Sequence, residues 1–146
     1  TCFMISKMPS NIHLLGLYLH LAQASKKRQR PFVRDRLLLL AGVTAVTAGL
    51  STIAACCRDE ILQNNPQHMI RRWVSMEDAL ADLNFRQLVQ QNLRRYPLEK
   101  AEQMLSSLGI DMSHESESYY SEYEYAAALL GTTPDILDAR FSGNTS

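Results

Sequence analysis

Leu37-Leu-Leu-Leu-Ala-Gly-Val-Thr-Ala-Val-Thr-Ala-Gly-Leu-Ser-Thr-Ile-Ala-Ala-Cys-Cys57 is an uncharged run of 21 residues between Arg34-Asp35-Arg36 and Arg58-Asp59-Glu60. It reads either as the buried centre of a helical domain or as one membrane span, and every other segment answers to that choice. Gly49 and Leu50 followed by Ser51-Thr52 form a helix stop and a new N-cap. They divide the run into a helix over about 32–48 and another over about 52–64, neither of which makes a comfortable span alone. The first piece holds only Thr44 and Thr47 as polar positions after Arg36, which predicts burial round nearly its whole circumference.

Upstream, Pro9-Ser10-Asn11 is a helix start, and Ile12, Leu15, Leu19 and Ala22 recur at helical spacing. His13 and His20 fall on one narrow polar stripe of that helix, facing water or a partner. Ala22-Gln23-Ala24 has the form of a signal-peptidase site, but histidines interrupt the apolar run before it and Lys26, Lys27, Arg28 and Arg30 follow at once. Pro31 then suits the first position of the next helix.

Downstream come shorter elements. Asn64-Asn65-Pro66 ends one helix and opens another whose apolar face is Met69, Ile70, Trp73 and Val74. Ser75 caps a helix carrying Met76, Ala79, Leu80 and Leu83, and Asn84 caps the next, with Phe85, Leu88, Val89 and Tyr96 inward and Arg86, Arg94 and Arg95 outward. Pro97 to Gly109 is the best-specified helix. Ser121 and Glu124 form a capping box before a helix over 126–130, Gly131 stops it, and Thr133-Pro134-Asp135 starts a last one through Phe141. The pattern is all-α: about nine mostly short helices in a single domain over 1–142, with an apolar part 9–64, a short-helix array 65–142 and a frayed tail 143–146.

The 15 basic and 15 acidic residues cancel, but unevenly. Residues 1–96 hold 13 basic against 6 acidic, and residues 97–146 hold 2 against 9, giving +7 and −7. Such a division favours pairing of the halves within a chain, or head-to-tail association between chains, over a uniform polyanion. Cys2, Cys56 and Cys57 form no recognised spacing and point to a reducing compartment.

Chemistry finds little purchase. His13 with His20, or Asp111 with His114, has the spacing of a ligand pair, without the Glu-x-x-His motif of di-iron bundles, and no metal, cofactor or catalytic residue is expected. The cysteines sit in the most apolar run, where burial quenches a thiol. Glu124 to Phe141 resembles a helix-turn-helix, with Ala127, Gly131 and Leu137 at the small, turn and aliphatic positions. The resemblance implies a reading helix at its end, yet Asp135 and Asp138 there would repel phosphate, and a hairpin that serves packing is the better account.

These residues predict a non-catalytic protein-interaction or scaffold module, cytoplasmic, with a protein partner, either self or other. Its surface is predicted at Lys26, Lys27, Arg28, Arg30, Arg71, Arg72, Arg94, Arg95, Tyr119, Tyr120 and Tyr123. The alternatives are a single-pass membrane protein with 37–57 as the span, and a nucleic-acid-associated protein using the basic run 26–36.

Overall fold

Four consecutive leucines cannot all face one partner, so the helix that holds them must be enclosed. The computed structural model, which describes residues 11–142, shows this. The predicted helix start at Pro9 and Ser10, Cys2, and the predicted tail 143–146 lie outside the described residues. Helix α2 (Pro31–Thr47) is flanked in the chain by α1 (Asn11–Lys27) and α3 (Ser51–Asn64). Leu37 to Leu40 are all at most 2% exposed, each contributing roughly 1.5–3 kcal/mol by burial. Around this trio stand α4 (Met76–Leu80), α5 (Leu83–Arg95), α6 (Leu98–Ser107), α7 (Glu122–Leu129) and α8 (Pro134–Leu137). The eight helices pack in a single compact all-α arrangement, and the described residues form no strand. Two 3-10 turns, Met69–Arg72 and Glu115–Ser118, and a π turn, Asp138–Ser142, complete it.

Helix α2 touches α1, α3, α4 and α5, whereas α6 and α7 pack chiefly against α1, the π turn against α3, and α8 against both α7 and α3. The core is thus centred on α2 but extended through its two neighbours. Gly49 makes the break in the apolar run. At φ +78 it lets Leu50 N–H bond back to the Ala45 carbonyl at 2.8 Å, which closes α2 and turns the chain. A helix over the whole of 37–57 is therefore not formed. Among the described residues no helix is long and apolar enough to cross a membrane.

Several expectations are corrected. Helix α3 is capped by Leu50 and not by Ser51: the turn at Gly49 already engages Leu50, so Ser51 enters as the first helical residue, one place too late to cap. The segment after Pro66 makes only the turn Met69–Arg72, and Val74 is 85% exposed. His68 Nδ1 accepts the Ile70 N–H at 3.0 Å, and Arg58 donates to the Trp73 carbonyl at 2.7 Å, so local partners replace a helical ladder. Trp73 then meets Phe85 edge-on, with ring centroids 5.4 Å apart. Leu83, expected in the core, is exposed, because extended Asp82 breaks the chain there, caps α5 in place of Asn84 and resets the helical phase. The predicted helix over 126–130 begins earlier, at Glu122, with Ser121 accepting the Glu124 N–H as expected. The second half of the helix-turn-helix resemblance is the short α8 followed by a π turn, with Ala127 and Leu137 in the core.

Candidate functional site

The basic turn between α1 and α2 is built by an unusual stop. Lys26 and Lys27 end α1, where cations favour the helix dipole. Gln29 then takes the left-handed conformation at φ +58, so that its N–H reaches the Lys26 carbonyl at 3.1 Å and the Arg30 N–H reaches the Ser25 carbonyl at 2.9 Å. The same back-bonded ending occurs at Gly49, Gly109 and Gly131, where a glycine takes the strain. Here a side chain does. The turn throws Lys26, Lys27, Arg28 and Arg30 into solvent, beside Phe32, which is 73% exposed. Among the described residues no ion pair engages Lys27, Arg28 or Arg30.

The rest of the predicted basic run behaves differently. Arg34 is buried with its guanidinium 4.0 Å from Glu60, and Asp35 is buried beside it. Arg36 is half-buried at a hollow with Phe32, Asp35 and His68. Arg34 is therefore removed from any phosphate-binding set, since its charge is spent inside the protein.

Arg28 separates two hollows. One, about 230 Å³, is walled by Leu21, Val33, Met104 and Leu108 with Arg28 and Arg30 at its rim. The other, about 260 Å³, lies between Leu108 and Ile110 on one side and His20, Gln23, Lys27 and Arg28 on the other. Ala24, Arg28 and Leu108 belong to both, so they form one groove with an apolar floor and a cationic edge.

The other predicted surface residues stand on separate elements. Arg71 and Arg72 are exposed on the first 3-10 turn, and Arg94 and Arg95 on the last turn of α5. Arg86 and Arg94 with Gln87, Gln90 and Gln91 line a shallow trough on the outer face of α5. The three tyrosines divide. Tyr123 donates its hydroxyl to Asp138 at 2.6 Å, and its pKa is raised by burial and then by that bond. Tyr119 packs on Tyr125 with centroids 5.4 Å apart. Tyr120 is 99% exposed.

Sequence reasoning missed a cleft of about 650 Å³ between the start of α1, the end of α6 and residues 109–117. His13 lies 3.5 Å from Glu102 there, and His114, left-handed at φ +62, lies 3.2 Å from Glu117. Beside it, Glu115 Oε1 holds His20 at 2.7 Å and receives the Tyr125 hydroxyl at 2.8 Å. Burial, then the bond to Glu115, raises the Tyr125 pKa. Gly16 makes room for this group: a Cβ there would stand 2.8 Å from the Tyr125 hydroxyl. The expected histidine stripe on α1 exists, but it faces acids supplied from beyond residue 100, and periodicity carries no signal of those. Among the described residues no group of three His, Cys, Asp or Glu is placed to hold a metal ion. Asp111 instead accepts the Ser113 N–H at 2.9 Å, which lowers its pKa.

Cys56 and Cys57, the cysteines among the described residues, are poor nucleophiles. Burial, followed by the nearby Glu60, pushes the Cys56 thiol up to about 12, and fully buried Cys57 is raised as well.

Compared with known proteins, the chain matches no family model, no curated protein and no solved structure.

Proposed function

We propose that the chain is a protein-interaction module that works through the groove and cationic turn at the α1–α2 junction, with an acidic protein surface as its partner. The observation that carries this reading is the placement of Arg28 between two apolar hollows, with Lys27 and Arg30 beside it and none of the three in an ion pair among the described residues. Apolar floor and cationic rim together suit a partner that brings an aromatic or aliphatic side chain flanked by carboxylates. The free, buried Cys56 and Cys57 suit a reducing cytoplasmic setting.

A long polyanion suits the surface less well. Glu115 sits on His20, seven residues before Lys27, or about 10 Å along α1 at 1.5 Å per residue. That exceeds the Debye length of about 8 Å at physiological salt, so only a nucleic acid long enough to run past the turn toward Glu115 would meet the acidic side of the molecule, whereas a compact acidic surface need not. A second reading, a small-ligand or catalytic site, draws on the two His–Glu pairs in the larger cleft.

Fluorescence anisotropy with a labelled Glu/Tyr-rich peptide, against single-stranded DNA of equal charge, tests the proposal. The peptide is expected to bind, with affinity falling at least tenfold in Arg28→Ala. No peptide binding at low salt, or tighter binding of DNA that also depends on Arg28, would overturn it.

A further inference from the structure

The groove implies a specific occupant, and the chain itself carries one. Tyr120 is 99% exposed, and exposed Glu122 and Glu117 flank it, Glu117 with one oxygen 3.2 Å from the exposed His114. It therefore presents an aromatic ring between carboxylates, the chemistry that the groove's apolar hollows and cationic edge accept. Each hollow is smaller than the several hundred Å³ of a drug-sized ligand site, which fits single side chains. Within one chain the pairing is not made: Tyr120 stands in solvent, and Lys27, Arg28 and Arg30 form no ion pair among the described residues. The +7 and −7 halves give the same complementarity at the scale of the whole chain.

We infer that a second copy of this chain is a partner of the groove, with Tyr120 of one copy seated against Arg28 and Leu108 of the other and its flanking glutamates on Lys27 and Arg30. The inference rests on the reading of the groove as a protein-binding surface and adds the identity of one partner. Charge-assisted pairing of this kind weakens with salt, and an aromatic anchor makes it lose more than charge alone when the ring is removed.

Sedimentation equilibrium of the full chain at low and high salt tests it, with circular dichroism to confirm that each variant is folded. The wild-type chain is expected to self-associate at low salt and to dissociate as salt rises. Lys27→Glu with Arg28→Glu, and separately Tyr120→Ala, should each weaken self-association more than tenfold. Mixing the two variants leaves one intact tyrosine and one intact groove, and should recover a 1:1 species. A wild-type chain that stays monomeric at millimolar concentration in low salt would overturn the inference, as would association that ignores both substitutions. If the chain stays monomeric while the acidic peptide still binds at Arg28, self-recognition fails and the protein-binding reading stands.

Discussion

Asp35 is only 5% exposed, and its Oδ1 has no hydrogen-bond partner. Burial raises its pKa, while Arg34 and a hydrogen bond with Asn65 pull the other way. A carboxyl whose folded pKa lies above its unfolded value favours folding fully below the unfolded pKa and loses that contribution as pH rises through the folded one. The charged form of Asp35 is thus a cost to the fold near neutral pH. Asp35→Asn, which keeps the shape and removes the charge, should leave the protein at least as stable at pH 7 and flatten the decline in stability above the unfolded value near 3.8. Urea midpoints of both proteins at pH 4 and pH 7 check this, and a loss at pH 7 would show that the charge is needed for pairing with Arg34. Nothing in the sequence marked Arg34 and Asp35 as buried. They sit in a run of six cations, and only the docking of α3 and α5 around the start of α2 decides which of these reach solvent.

Helix endings were read well where one residue type carries the geometry. Gly49, Gly109 and Gly131 stop their helices in the left-handed conformation, and Ser75, Ser121 and Thr133 accept the N–H groups that such caps satisfy. Expectations fail where a competing group intervenes, whether from a distance or from two residues away. Arg58 takes the Trp73 carbonyl, and Asp82 caps ahead of Asn84, neither of which periodicity can reveal. Gln29 was also missed as a stop, since it lacks glycine's tolerance of positive φ. Gln29→Gly should therefore stabilise the protein by about 1 kcal/mol, the scale of the left-handed penalty for a residue with a Cβ, less part of the extra chain entropy of glycine. A urea midpoint shifted upward with unchanged slope would show it. An unchanged or lower midpoint would mean that the turn is not strained by its side chain.

Over the whole molecule, the all-α pattern and the burial of the leucine run are legible in local periodicity and hydropathy, but hydropathy alone leaves both protein and lipid as what buries it, and the break at Gly49 with the packing of α2 decides for protein. The groove and the larger cleft are not legible there, because each joins α1 to residues beyond 100. The charge division was visible in the sequence, but it did not say that Glu115 would lie on His20 while the cations two turns further along α1 stayed outside. The enclosure also governs reactivity. Cys56 and Cys57 are at most 5% exposed, so reaching them with a thiol reagent requires opening α3 from the core. At pH 8 both thiols should react at least a hundredfold more slowly in the native protein than in denaturant. Rapid native labelling would place α3 outside the cooperative unit.

The connections among the first three helices also bear on the order of assembly. Residues 28–30 and 48–50 are all that separate α1, α2 and α3, so these helices meet through contacts of short sequence separation and lose little entropy in closing. Leu108 and Ile110 arrive from far later in the chain to complete the groove against Ala24 and Arg28. The apolar trio can thus form while the chain is still being synthesised, and the groove proposed to receive a partner comes into being only when the second half has docked.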